Sequence, residues 1–263
     1  MKIFAIFGDP VAHSRSPLMH NSVFRDLHVN AAYTRVHLKE SSKLRETFFN
    51  LKLSGANVTV PHKEAAFKAC DEVRGFAKKI GVVNTLINEN GRLIGYNTDA
   101  DGFMFAIKDF ENIRDVLIIG AGGTAKALAN KFIDENLHVS ILNRSKNRLE
   151  YFQKLNLTCK SWEEMSISSY DLIVNTTSAG LQDENYPAPL ELLEPLLKSA
   201  RYSADAIYGK VTPFLKLSHK LGLTCKDGAD MLLGQGVLAN ELFLDKTISR
   251  EKIYESMKKS FAI

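Results

Sequence analysis

The run Val116-Leu117-Ile118-Ile119 passes without a spacer into Gly120-Ala121-Gly122-Gly123-Thr124-Ala125 and then into a segment of helical pattern, residues 126–135. An aliphatic run with no polar alternate suits a strand buried on both faces, as in a parallel sheet covered by helices. A glycine directly after such a strand lets the chain turn tightly, Gly122 lets a pyrophosphate approach the backbone, and the small Ala125 lets helix and strand pack closely. The free N–H groups and dipole of the helix N-terminus then favour an anion. This junction predicts an open α/β sheet whose βα turn binds a dinucleotide; the alternative is a glycine-rich turn with no ligand.

Strand-like runs at residues 139–142, 172–174 and 204–207 follow, separated by helical or loop segments, which is the doubly wound pattern. The first third of the chain alternates apolar runs (3–7, 32–37, 56–60) with amphipathic segments (16–27, 42–51, 62–70), a βα repeat. Runs 82–87 and 92–97 flank Asn90-Gly91, a dipeptide of tight antiparallel turns, so the first sheet is expected to be mixed. Helices are expected at 101–110, 229–243 and 249–260. The fold class is therefore α/β in two domains. An N-terminal mixed-sheet substrate domain spans residues 1–100, with residues 229–263 packing back on it, and a doubly wound Rossmann-type domain spans residues 101–228.

The 263 residues can bury a core of this size. Lys and Arg number 34 against 30 Asp and Glu, scattered along the chain, a balance that suits small anionic ligands and falls short of a nucleic-acid footprint. Cys70, Cys159 and Cys225 are odd in number and far apart, suggesting neither a disulfide framework nor a paired-cysteine metal site, and so a reducing cytoplasm. The apolar start is too short for a signal peptide, and no run approaches a membrane span.

Two further stretches carry chemistry. The strand at 139–142 ends in Asn143-Arg144-Ser145-Lys146-Asn147-Arg148, with no carboxylate where an NAD enzyme would hold the ribose hydroxyls. Arg144 can lie along an adenine and pair with a 2′-phosphate that Arg148 also reaches, so NADP is expected over NAD; the alternative is a solvated basic turn. In Asn57-Val58-Thr59-Val60-Pro61-His62-Lys63, strand alternation would project Asn57 and Thr59 together while Val58 and Val60 anchor the other face, and Lys63 opens a helix. Polar groups and a cation at a strand exit point to a polar substrate; the alternative is a solvated edge strand.

These segments, together with Gly8-Asp9-Pro10-Val11-Ala12-His13-Ser14-Arg15-Ser16-Pro17, Gly81-Val82-Val83-Asn84-Thr85, Asn97-Thr98-Asp99 and Asn175-Thr176-Thr177-Ser178-Ala179-Gly180, resemble the shikimate dehydrogenase family over residues 8–235. The resemblance implies reversible reduction of 3-dehydroshikimate to shikimate with NADPH, a step of aromatic amino acid synthesis. It implies Lys63 and Asp99 as the catalytic pair that handles the hydroxyl proton. Ser14 and Ser16 match donors to the substrate carboxylate; the alternative is helix capping before Pro17, and the two roles are compatible. Thr59, Asn84 and Gln235 match substrate contacts, with a structural hydrogen-bonding role the alternative for Asn84 and Gln235, and Tyr208 matches a carboxylate-side donor near the domain junction. Asn57 is the weakest of the set and fits a bracing role. Gly120, Ala121, Gly122, Gly123, Thr124, Asn143, Arg144, Arg148, Ile207 and Gly228 fall on the cofactor side. A monomer or homodimer without nucleic-acid or membrane partners is expected. His13 and His20, with no carboxylate cluster beside them, are assigned to packing or surface rather than metal. Departures from the family pattern are Ala100 after Asp99, Thr176 for an alanine, and a loop one residue shorter between Tyr208 and Thr212. Rival readings are a catabolic quinate/shikimate dehydrogenase, a non-catalytic NADP-binding module, and a methylene-tetrahydrofolate dehydrogenase. The last would call for an aromatic-lined slot.

Overall fold

The computed structural model describes residues 1–260. The chain divides into two compact units, Met1–Gly102 with residues from Leu233 onward, and Phe103–Leu232. Of the segment expected on the first domain, residues 261–263 lie outside the described residues.

The first unit holds strands β1 (Lys2–Gly8), β2 (Ala31–His37), β3 (Gly55–Val58), β4 (Glu72–Val73), β5 (Thr85–Glu89) and β6 (Arg92–Tyr96). Their order is β2-β1-β3-β5-β6-β4, parallel except where β5 runs antiparallel to β3 and β6. The mixed sheet agrees with expectation, and Asn90 (φ 54°) and Gly91 (φ 84°) form the hairpin turn. Alternation splits β1 between two cores: Ala5 and Phe7 join Ala56, Val58, Leu86 and Leu93 on one face, while Phe4 and Ile6 join Tyr33, Ile87 and Phe243 on the other. Phe243 ends the helix Ala229–Phe243 and stacks on Phe4 with ring centroids 4.6 Å apart. Burying a phenylalanine contributes about 1.5–3 kcal/mol, so this contact ties the C-terminal segment to the sheet. The helix Arg250–Lys259 meets the helix Ser16–Asp26, where Ser256 Oγ donates to Asp26 Oδ2 at 2.9 Å.

One expectation about β3 is corrected. The strand stops at Val58, and Val60 is 63% exposed, so it anchors no core. Nor is β3 an edge strand, since it pairs with both β1 and β5.

His20 lies fully buried, stacked on Tyr33 at 4.3 Å, and its Nδ1 accepts from Asn240 Nδ2 at 2.9 Å. It is a packing residue. Burial, only partly opposed by the Asn57 side chain, lowers its pKa from 6.5 to about 3. In the unfolded chain the ring takes up a proton below 6.5, while the folded ring stays neutral down to about 3. This group's contribution is therefore nil above pH 6.5 and turns unfavourable, by about 1.4 kcal/mol per pH unit, as pH falls toward 3. Urea unfolding of His20→Gln across pH 7 to 5 is expected to show a shallower loss of stability than the parent. Equal slopes would assign the acid sensitivity elsewhere.

The second unit holds β7 (Asp115–Ile119), β8 (His138–Asn143), β9 (Thr158–Ser161), β10 (Leu172–Asn175), β11 (Tyr202–Asp205) and β12 (Thr224–Lys226). All are parallel, in the order β12-β11-β10-β7-β8-β9. The winding reverses between β7 and β10, the topological switch point at which doubly wound sheets bind ligands. Val116 and Ile118 face one core, Leu117 and Ile119 the other, as a strand buried on both faces requires. Among the described residues no helix is long and apolar enough to cross a membrane. Nor do any three or more His, Cys, Asp or Glu among them group to hold a metal ion.

Candidate active site

In the first unit the exits of β1 and β3 lie side by side. Thr59 N donates to Phe7 O at 2.9 Å, and Thr59 Cγ2 stands only 2.5 Å from where a Cβ on Gly8 would lie, so residue 8 has to be glycine for Thr59 to remain there. The loop then crosses Pro61 to His62, which is fully buried. Leu38 O can only accept, so His62 Nε2–H donates to it at 2.6 Å, and Nδ1 accepts from the Ser41 hydroxyl at 2.6 Å. These bonds pin the residue before Lys63. His62 received no role from the sequence, where its only signal is its place between Pro61 and Lys63.

Lys63 opens the helix Lys63–Ala69, and its Nζ lies 2.6 Å from Asp99 Oδ2, the two side chains being 12% and 8% exposed. Asp99 begins the helix Asp99–Ala106, two residues earlier than periodicity suggests, which puts its carboxylate at the positive end of the helix dipole. Its N–H donates to Asn97 Oδ1 at 3.1 Å. A nearly buried ion pair is stable only when its remaining polar atoms are satisfied, and Asn84 satisfies Asp99 by donating from Nδ2 to Oδ1 at 2.8 Å. The second amide hydrogen of Asn84 goes to Thr98 Oγ1 at 3.0 Å, and its Oδ1 accepts from Thr98 N and from the Thr85 hydroxyl, both at 2.9 Å. The amide is thus fully engaged within the protein, bracing Asp99. Asn57 likewise braces, accepting from Tyr33 OH at 2.7 Å.

Ser14 and Ser16 are buried with their hydroxyls 3.2 Å apart, and the Arg35 guanidinium donates twice to Ser14 O. Arg15 at the N-cap makes no side-chain cap to the helix Ser16–Asp26, but Ser14 Oγ accepts from Ser16 N at 3.3 Å, so Ser14 also serves the helix start. Thr59 is half-buried, and Gln235 is buried on Ala229–Phe243. Ser14, Ser16, Thr59, Lys63, Asn84, Asp99 and Gln235 all belong to the first unit, and Tyr208 to the second.

In the second unit Gly120 adopts φ 114°, where L side chains are strained, and Thr176 Oγ1 sits 2.6 Å from where its Cβ would be. That hydroxyl donates to Ile119 O at 2.8 Å, so Thr176 closes the end of β10 onto β7. Beyond the turn, Gly122 meets nothing within 4 Å of an added Cβ, and the helix Gly123–Asp134 starts without a side-chain cap. Uncapped N–H groups beside open space form a cradle for phosphate oxygens. Asn143 ends β8 and donates to Ser145 O at 2.8 Å, shaping the turn that presents Arg144 and Arg148. Both arginines are exposed and, among the described residues, meet no carboxylate, whereas neighbouring Lys146 is taken by Glu164 at 2.8 Å. Gly228 N donates to Ile207 O at 2.9 Å, joining those two positions. Asp205 fixes the start of the Tyr208 loop by accepting from Asn175, Ile207 N and Thr212. Burial draws its pKa upward against those bonds. The donor set and the open cradle fit a dinucleotide with an extra phosphate. Free Cys70, pushed by burial to about 12, offers no thiolate.

Two family models match the chain, the shikimate dehydrogenase substrate binding domain over residues 6–86 and shikimate / quinate 5-dehydrogenase over residues 105–182. A Helicobacter hepaticus protein named shikimate dehydrogenase (NADP(+)) is 44% identical over 242 residues, 91% of this chain and 90% of that protein. A Helicobacter pylori protein of the same name is 43% identical over 265 residues, 99% of each. The crystal structure of shikimate 5-dehydrogenase from Thermus thermophilus in complex with NADP(H) and shikimate is 32% identical, with a TM-score of 0.86, covering 99% of this chain and 100% of that one.

Proposed function

The chain belongs to the shikimate dehydrogenase family, and from that premise we propose that it interconverts 3-dehydroshikimate and shikimate, working in the cell toward shikimate. It is an NADP-dependent oxidoreductase of the shikimate pathway. The observation that carries the mechanism is the Lys63–Asp99 contact at 2.6 Å, shielded from water and braced by Asn84.

NADP supplies the hydride donor or acceptor when bound. In the second unit the turn of Gly120, Ala121, Gly122, Gly123 and Thr124 would hold its pyrophosphate, Arg144 and Arg148 its 2′-phosphate, and Asn143, Ile207 and Gly228 the surrounding walls. In the first unit Ser14 and Ser16 donate to the substrate carboxylate without burying a countercharge, and Thr59 and Gln235 serve ring hydroxyls. Oxidation of a secondary alcohol leaves a hydroxyl proton to be taken up, and reduction of the ketone requires one to be delivered. The Lys63–Asp99 pair holds or moves that proton at the ammonium, while the carboxylate fixes the ammonium in place.

The test is NADPH formation from shikimate and NADP, run beside quinate and NAD. Turnover is expected with shikimate and NADP, and about tenfold or more below it with quinate, whose extra hydroxyl must find a partner once buried. No turnover of shikimate by folded protein would overturn the proposal.

A further inference from the structure

We propose that Tyr33, Asn57 and Thr85 are positioning residues for proton transfer, acting through Asn84 to hold the Asp99 carboxylate against Lys63. The inference rests on the assignment of proton transfer to that pair. Asn57 on β3 and Thr85 on β5 are directly opposed in the antiparallel ladder, and Tyr33 lies two strands away on the same face of the sheet. All three side chains are buried, with Asn84 and Asp99 beside them.

Two backbone groups fix the direction of the hydrogen bonds. Thr98 N can only donate, so the Asn84 atom facing it at 2.9 Å is Oδ1, which turns Nδ2 toward Asp99. The Thr85 hydroxyl, 2.9 Å from that same Oδ1, must then donate to it, and its lone pair accepts from Asn57 Nδ2 at 3.2 Å. Asn84 O can only accept, which places Nδ2 of Asn57 on that side and turns Asn57 Oδ1 to Tyr33 OH. One donor from each of Tyr33, Asn57, Thr85 and Asn84 thus points along the line toward Asp99 Oδ1, while Lys63 donates to Oδ2. The Tyr33 ring is itself held by its stack on His20. Buried as they are, these groups find no water to replace a lost partner, so a gap along the line leaves the Asn84 amide with fewer bonds, those to Thr98 remaining, and loosens its hold on the carboxylate beside Lys63.

The test is Thr85→Val, which removes the hydroxyl at nearly constant volume, beside Thr85→Ser, which keeps it. In the shikimate assay Thr85→Val is expected to lower kcat about 10–100-fold with KM for shikimate and NADP within about threefold, while Thr85→Ser keeps kcat within about threefold. A Thr85→Val kcat within about twofold of the parent, a loss confined to KM, or an equal kcat loss in Thr85→Ser would overturn the inference. If Thr85→Val does not fold, Tyr33→Phe decides, with a kcat loss of about 3–10-fold expected and parental kcat overturning it. Each of these failures leaves the parent's turnover of shikimate intact, so it is distinguishable from failure of the proposed reaction.

Discussion

Replacing Lys63 with alanine is expected to lower kcat for shikimate oxidation about 10²–10⁴-fold, the range that a positioned proton-transfer group contributes, and to change KM for shikimate far less. The ammonium sits 2.6 Å from Asp99 in a place nearly closed to water, so no solvent donor of comparable position replaces it. An interaction that strengthens as the hydroxyl proton moves belongs to the transition state, and its loss falls on turnover rather than on binding. The variant also leaves Asp99 buried without its cation, though Asn84 and the helix N-terminus still serve the carboxylate. Initial-rate measurements following NADPH absorbance, with a thermal melt to establish folding, check this result. Full activity in Lys63→Ala would remove the pair from the mechanism while leaving family membership untouched.

The paired substitution Arg144→Ala/Arg148→Ala is expected to raise KM and Kd for NADP about 10–100-fold and to leave those for NAD nearly unchanged. Hydrogen bonds to a charged group contribute about 1.5–3 kcal/mol, and only NADP carries the 2′-phosphate to receive them. Both side chains are exposed, and among the described residues neither guanidinium pairs with a carboxylate, so their loss is expected to leave the fold of the second unit intact. For the same reason salt screens their attraction, and the preference of the parent for NADP is expected to narrow as ionic strength rises. Equal losses for the two dinucleotides would place these arginines outside the 2′-phosphate site.

Most of the fold was legible because interior strands carry long, unambiguous patterns. The aliphatic run of β7, the alternation of β1 and the Asn90-Gly91 hairpin all appear where periodicity puts them. The strands that escaped notice are β4, β9 and β12, and each lies at the edge of its sheet. Glu72–Val73, Thr158–Ser161 and Thr224–Lys226 are short and only partly covered, so neither their length nor their polarity distinguishes them from loop. The end of β3 was misplaced for a related reason: Val60 continues the alternation, but the ladder has already stopped.

At the candidate site, residue types were readable and their directions were not. The glycine turn at Gly120, the basic turn at Arg144, and a lysine delivered by a strand exit follow from local sequence, since each depends on neighbours within a few residues. Which way an amide faces depends on groups brought from elsewhere in the chain. The engagement of the Asn84 amide by Thr98, Thr85 and Asp99, and of the His62 ring by Leu38 and Ser41, cannot be read from residue type. The sequence by itself determined the α/β class and the dinucleotide turn, because backbone periodicity and chemical type are local properties, while the pairing of Lys63 with Asp99 was implied by the resemblance to a family. Only the tertiary structure decided that the polar residues around that pair form a directed, buried line ending on Asp99, because hydrogen-bond direction is set by partners distant in sequence and enforced by the exclusion of water.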